Sequence, residues 1–600
     1  MVWNELRSGL AAALAKVGLD AGAALERLEL AIPRERAHGD WSTNLAMGLA
    51  KAAKQPPRML ADKLAGAFPL EGSPFRTVEV AGPGFLNFRY REDWLAGLPA
   101  RILAEQAAFG RSDSGAGERV LVEYVSANPT GPMNIVSARA AAVGSALVRL
   151  LDAAGYAAAS EFYVNDAGNQ VDLLGQSLAA RFAERIGEAR PLPEEGYRGE
   201  YVRELAGRLP EAEARAAHGR EDGAGWFRDQ ALAQVVEWQR TDLAGYGVTF
   251  DRWFLESSLH PDAVIRTRRA LEARGVTYRA ERPEGVTEAA EARVKAEAGA
   301  AGGGGVATWL RTSQFGDAMD RVIVRSDGRP TYLRPDIAYH FDKRTRGFRK
   351  AINLWGPDHH AYIGTLTAGL RALGLEDDFL HVLIVQQVNL MRDGVAVKMS
   401  KRAGEFDTLR DLVDEVGADC AKFFFLMRST SSHLDFDLGL AKLQNDENPA
   451  YYVQYAHARI ASVLRKGSDA GLLPAEGAAA ALTHPAELAL VRQLVTWPEL
   501  VRGAAQAREP HRIPTFLVET AAEFHRFYQA CRVVGDDTDV SRHRLRLCAA
   551  AAQVLRNGLA LMGVSAPERL VETTPAEIEG RVSELHGMVH YDLFRMFPDA

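Results

Sequence analysis

Residues 119–126, RVLVEYVS, are a β-branched run that ends abruptly in the turn residues of ANPTGP. The Ala-rich stretch AAAVGSALVRLLDAAG (140–155) follows at once. A buried strand, a Pro- and Gly-containing turn and a helix in that order make the opening of a βα unit. Four more short β-rich runs lie downstream: FYVND, RVIVRS, AINLWG and HVLIVQQV. Helical stretches stand between some of them. The alternation predicts a doubly wound, Rossmann-like α/β sheet over 111–414, with a more polar helical insertion at about 170–260. EAGAAGGGGVA (297–307) reads as a flexible connector. In such sheets ligands bind at the carboxyl ends of the strands, where helix N-termini present N–H groups. The ANPTGP turn is such a strand end, and Glu123 and Asn128 give it a polar lining.

The flanks differ. Residues 1–110 read as a small α+β unit: LRSGLAAALAKVGL has helical spacing, and RTVEVAGPGFLNFRYR alternates as two strands around Gly-Pro-Gly. From 415 to 570 the pattern turns helical, as in YYVQYAHARIASVLRK and TFLVETAAEFHRFYQACRVV, and predicts an all-α bundle. The stretch 571–600 has weak patterning. The N-terminus lacks the basic start and apolar core of a signal peptide. No apolar run reaches membrane-span length. The three cysteines, Cys420, Cys531 and Cys548, form no CxxC pair, which argues against a disulfide framework or zinc site and fits a cytoplasmic setting. A net charge of −7 does not exclude nucleic acid, because a local basic face suffices for phosphate contacts.

Three further motifs carry chemistry. In VAVKMSKRAGEFDTL (395–409), Lys398, Lys401 and Arg402 bracket a small polar loop suited to a polyphosphate whose charge shifts during reaction. In RPTYLRPDIAYHFDK (329–343), Tyr332 and Asp336 stand one helical turn apart, a carboxylate and a ring for a cationic ligand. LWGPDHHAY (354–362) offers Asp358, His359 and His360 after a strand, without a third ligand at metal-site spacing.

The ordered set ANPTGP, DIAYH, WGPDHH and KMSKRAG, followed by LDFDLGLA, NPAYYVQYAHARI and FHRFYQACRV, resembles the class I aminoacyl-tRNA synthetases, specifically the arginyl-tRNA synthetases of bacteria. HGDWSTNLA and AGPGFLNFRY extend the resemblance to the N-terminal region. It implies an arginine–tRNA ligase that takes L-arginine, ATP with Mg²⁺ and tRNA(Arg), holds no structural metal, is a monomer and needs tRNA before it activates arginine. The N-terminal domain would contact the tRNA elbow. By motif, Glu123, Asn128, Tyr332 and Asp336 would hold arginine. Asn134, Ser137, His359, Lys398, Met399, Ser400 and Lys401 would meet ATP, with Lys398, Lys401, Asn134 and Ser137 the catalytic set. Tyr451, Gln454, Tyr455, His457 and Arg459 would face tRNA in the helical bundle, where aromatics stack on bases.

One departure stands out. The family's His-x-Gly-His is here Asn134-Ile135-Val136-Ser137. Asn134 can donate a hydrogen bond but carries no charge, Ser137 is shorter than histidine, and Val136 puts a branched side chain where the family's glycine lets adenine approach. The alternative to a working ligase is therefore a weakened or inactive synthetase-like protein that binds tRNA or arginine.

Overall fold

A computed structural model describes residues 2–570 apart from 21, 23–24, 26–27, 34, 282, 284–304, 393, 398–407 and 477–481. Most of the 297–307 connector and the 571–600 stretch lie outside the described residues.

The N-terminal unit is α+β. Helix Val2–Lys16 buries Leu6, Leu10 and Leu14, four residues apart on one face. The antiparallel sheet orders Trp41–Thr43, Phe85–Tyr90 and Phe75–Ala81. Its hairpin turns at Gly82-Pro83-Gly84, where Gly84 has φ +141° and lies so close to the Pro57 backbone that a Cβ would sit 3.0 Å from it.

The central sheet is five-stranded and wholly parallel, ordered Leu380–Ile384, Lys350–Trp355, Arg119–Glu123, Ala157–Val164, Arg252–Leu255. The chain starts in the middle, builds outward to Arg252–Leu255, then returns to build the other half. The order therefore reverses between Arg119–Glu123 and Lys350–Trp355, and the carboxyl ends of these two strands frame the crevice where such sheets bind ligands. Val120, Leu121 and Val122 are buried on both faces, as expected of a central parallel strand. Helix Ile135–Ala153 is buried nearly all round, between the sheet and helices Ala418–Leu426, Trp497–Ala507 and Thr538–Met562 of the C-terminal part. Gly144 permits this packing: a Cβ there would lie 2.1 Å from the Tyr124 ring.

Three expectations are corrected. RVIVRS does not join the parallel sheet. Arg321–Val324 is the edge of a separate antiparallel sheet with Thr277–Ala280 and Ala307–Leu310. The ten residues between its last two strands are too few for a parallel crossover. The insertion is helical, comprising Asn169–Arg185, Glu200–Gly207, Glu211–His218 and Gly223–Gly245 with its own core of Leu178, Phe182 and Phe227, but it ends before 260, because Arg252–Leu255 is a sheet strand. The region from 415 is not all helix: Leu434–Asp437 pairs in parallel with Val388–Arg392. Beyond it, helices Pro449–Asp469, Pro485–Val495, Trp497–Ala507, Arg512–Ala530 and Thr538–Met562 form the bundle.

Gly144→Ala should lower stability by about 1–3 kcal/mol through overpacking against Tyr124. Gly97→Ala, in helix Glu92–Glu105 with open space around it, should raise it by about 0.5–1 kcal/mol. Urea midpoints at unchanged slope would check both.

Candidate active site

The polar centre of the molecule lies at the crevice between Arg119–Glu123 and Lys350–Trp355. Helix Leu333–Thr345 crosses it with Asp336, His340 and Lys343 at positions i, i+4 and i+7, one face of the helix. His340 and Lys343 are buried and Asp336 is half-buried, so this polar face needs partners. Lys343 Nζ donates to Glu123 Oε2 at 2.5 Å and to Asn353 Oδ1 at 3.1 Å, and lies 4.2 Å from the centre of the Tyr339 ring. Ser126 Oγ donates to the other Glu123 oxygen, Oε1, at 3.2 Å. His340 Nδ1 bonds the Asp336 carbonyl at 2.8 Å, and Nε2 faces the Asn353 amide at 2.9 Å. Burial and Lys343 hold His340 well below its ordinary pKa, which fits a neutral ring that donates from Nδ1 and accepts at Nε2.

Asp336 is the centre of this polar cluster. Its Oδ2 accepts a 2.7 Å bond from the Tyr362 hydroxyl. Burial raises its carboxyl to about 7; the charges of Glu123 and Glu256 push the same way, against Tyr362 and Lys343. Glu256, just after strand Arg252–Leu255, is also raised, chiefly by burial, with Tyr163 and His260 opposing. Three acids thus converge with Lys343 as the cation among the groups acting on Asp336. Such a site favours a ligand that brings positive charge.

The turn that leaves Glu123 is unusual. Val125 and Ser126 have φ of +69° and +41°, which non-glycine residues seldom adopt. Asn128 is exposed. Asn134 caps helix Ile135–Ala153, its Oδ1 accepting from Ser137 N at 2.8 Å. The Asn134 oxygen and the Ser137 N–H are thus used by the helix itself. Val136 and Ser137 are half-buried in the same first turn. Asn134 also bridges Thr408, and Leu409 N bonds Met133 O at 2.9 Å. His359 is exposed in the turn after Lys350–Trp355, its ring 5.9 Å from that of Trp355. Lys398, Met399, Ser400 and Lys401 lie outside the described residues.

Other expectations change. Tyr332 stands one turn before Asp336, but its side chain is 85% exposed. Side chains at a helix start project past its N-terminal end, so the ring beside Asp336 is Tyr362. In helix Pro449–Asp469, His457 is not on a free face. It is 1% exposed, its Nδ1 bonded to Pro567 O at 2.8 Å. Gln454 is likewise used internally, donating to Asp419 and Ser565. Tyr451, Tyr455 and Arg459 do share a half-buried face: the two rings stack at 6.1 Å and Arg459 lies over Tyr455 and Tyr528. A cavity of about 460 Å³ opens beside them between Val463, Lys466, Tyr528 and Arg532. Residues that the sequence reading missed are Glu256, Tyr362, Lys343, His340 and Arg139. Continuing the helical period from Asp336 would have found His340 and Lys343; Glu256 and Tyr362 carry no local signal. Among the described residues no group of three or more His, Cys, Asp or Glu side chains is placed to hold a metal ion.

Comparison with known proteins agrees along the chain. Residues 4–90 match the arginyl tRNA synthetase N terminal domain, 100–243 the catalytic domain of class I (R) tRNA synthetases, and 453–570 the DALR anticodon binding domain. The arginine–tRNA ligase of Bacillus subtilis (strain 168) is 41% identical over 572 residues, 94% of this chain and 99% of its own. That of Symbiobacterium thermophilum is 43% identical over 582 residues, with the same coverage. In fold, the chain is similar to the Thermus thermophilus arginyl-tRNA synthetase, with a TM-score of 0.70 over 95% of this chain and 100% of that one at 23% identity. The Plasmodium falciparum arginyl-tRNA synthetase gives 0.69 over 95% and 99% at 13% identity.

The raised carboxyl of Asp336 sets a stability prediction. Its folded pKa of about 7 lies above the ordinary carboxylate value, so the fold prefers the protonated form. Its contribution is fully present below pH 4 and is lost as pH rises through 7. Asp336→Asn should therefore unfold at a higher temperature than the wild type, by a margin that grows from pH 5 to pH 8 and reaches roughly 2–4 kcal/mol. A margin independent of pH would contradict it.

Proposed function

Because this chain belongs to the arginyl-tRNA synthetase family, we propose that its activation site works through the acidic pocket around Asp336. The chain is an arginine–tRNA ligase. In the first step an oxygen of the arginine carboxylate attacks the α-phosphorus of ATP, the bond to the β-phosphate breaks and pyrophosphate leaves. In the second, a hydroxyl at the tRNA 3′ end attacks the carbonyl carbon and AMP leaves.

One observation carries the assignment of residues: Asp336 is desolvated, faced by two further acids and bonded by a neutral hydroxyl. A guanidinium is always charged and presents paired donors. Placed between Asp336 and Glu256, it restores ionisation to both. Glu123 and Asn128 take the α-ammonium end. Lys343 neutralises one of the three carboxylates, leaving the pocket two negative charges for the two cationic groups of arginine. Citrulline would leave the acids unpaired and be rejected strongly. Tyr332, exposed one turn before Asp336, covers the bound side chain. ATP enters with Mg²⁺ on its phosphates and lies over the N-terminus of helix Ile135–Ala153, with Asn134, Ser137 and His359 beside it. Lys398 and Lys401, flanking Met399 and Ser400, steady the departing pyrophosphate. The stacked Tyr451 and Tyr455 with Arg459 meet bases of tRNA(Arg), while Gln454 and His457 hold their helix. Among the described residues no helix is long and apolar enough to cross a membrane, and we place the protein in the cytoplasm as a monomer.

The test is calorimetric titration with L-arginine across pH 5.5–8.5. Below pH 7 the free pocket holds a proton on Asp336 that arginine must displace. Affinity should therefore rise about tenfold per pH unit up to about 7 and then level off, with proton release below 7. Asp336→Ala should abolish arginine binding and leave tRNA binding intact. ATP–pyrophosphate exchange should require arginine and tRNA and fail in Lys401→Ala. Flat arginine affinity across this range would sink the pocket assignment; absent exchange with tRNA binding retained would mean that Asn134–Ser137 no longer supports catalysis.

A further inference from the structure

The helical insertion grips the activation site through one helix. Helix Gly223–Gly245 runs from one core to another: Phe227, Ala231 and Val235 belong to the insertion's own core, Leu243 to the main core. Gln239 and Asp242 stand where it passes between them. Gln239 is 1% exposed, and its Nε2 donates to two backbone carbonyls of the turn, Asn128 O at 3.1 Å and Gly131 O at 3.0 Å. Tyr201, from the neighbouring insertion helix, donates its hydroxyl to Thr130 O at 2.7 Å. Asp242 Oδ1 accepts from Arg410 Nε at 3.0 Å, in helix Leu409–Val416. That helix in turn meets the signature turn through the Leu409–Met133 and Thr408–Asn134 contacts.

The sequence of the turn explains the arrangement. Pro129 and Pro132 remove two N–H groups, so the turn is held largely by its carbonyls, and the donors come from outside. Its entry through Val125 and Ser126 at positive φ is a conformation that persists only when the surroundings impose it. Gln239 carries a cost that points the same way. Its Oε1 is buried without a partner, and an apolar residue of the same shape would avoid that. The donor end is what the site uses.

We propose that Gln239, Tyr201 and Asp242 are positioning residues for arginine activation, which make the insertion a bracket that sets the turn at 128–134 against helix Leu409–Val416. This rests on the reading of that turn as the ATP and arginine contact. None of the three touches the reacting atoms. They act on Asn128 and the first turn of helix Ile135–Ala153 through the backbone between them. Misplacing a reacting group by about 1 Å can cost about 10²-fold in rate, so the bracket should show in turnover with ATP before it shows in arginine binding. Among the described residues, Asp336, Glu256 and Tyr362 stand on elements to which these three residues make no bond.

The experiment uses the full chain with tRNA(Arg). Gln239→Met keeps the volume and removes both donors; Tyr201→Phe removes one hydroxyl. Exchange kinetics should show kcat/KM for ATP reduced about 10²-fold in the first variant, and less in the second. Calorimetric affinity for L-arginine should weaken less than tenfold, with the melting temperature lowered by no more than a few degrees. Both variants within twofold of wild type in kcat/KM would overturn the proposal. So would a fall in arginine affinity and melting temperature in step with the rate, which would mark a merely structural contact. A wild-type chain without arginine-dependent exchange would overturn the underlying reading, and the proposal with it.

Discussion

The buried pair of Lys343 and Glu123 fixes the geometry on which the rest depends. It joins helix Leu333–Thr345 to the central strand at the point where the strand order reverses. Taking both charges out of water costs several kcal/mol per ion, and their attraction offsets this only when every remaining donor and acceptor is used. Here Asn353 and the Tyr339 face complete the ammonium, and Ser126 bonds the second carboxylate oxygen, so that each Glu123 oxygen has a donor. The same end of the helix is fastened a second time, because Arg346 at its C-cap grips the fully buried Glu161 at 2.7 and 2.9 Å and Tyr339 donates to the same carboxylate. Asp336 lies in the first turn of the helix, on the same face as Lys343 and toward the opposite end. It is held in place by its helix and by one hydroxyl, with no cation bonded to it, which is how a carboxylate stays available for a ligand.

Much of this was legible because it is local. The strand–turn–helix at 119–155 follows from β-branched residues, two prolines and an Ala-rich stretch. The one-turn spacing of Tyr332 and Asp336 follows from helical period. What was not legible depends on chain ends far apart in sequence. Glu256 reaches the pocket only because Arg252–Leu255 is the edge strand of the sheet, a four-residue element inside a polar helical region. Tyr362 arrives from the helix after another strand. RVIVRS and LDFD have the composition of strands, but composition does not say which sheet a strand joins. The sequence YYVQYAHARI carries polar residues on several faces, and only packing against the 565–568 segment decides that Gln454 and His457 point inward.

The replacement of the signature residues also has a structural reading. A histidine at 134 would cap less well than asparagine, which is among the best N-cap residues because its short side chain accepts from the N3 amide. Asn134 therefore holds the first turn of its helix firmly, while giving up the charge a histidine would bring to a nucleotide. Charge enters that turn by another route. Arg139, one turn further in, is fully buried and donates to three backbone carbonyls: Gln386 at 2.9 Å, Ser429 at 2.8 Å and Ser432 at 3.0 Å. Burial lowers its pKa to about 10, which leaves it charged at neutral pH. Carbonyl partners solvate a guanidinium without neutralising it. The charge therefore persists in a low-dielectric setting beneath the N-terminal end of a helix whose dipole has the same sign there. The two effects add toward an anion at that end. The same three bonds also tie the helix to the segments that lead into the paired strands Val388–Arg392 and Leu434–Asp437, so the residue that supplies the field also sets the distance across which it acts.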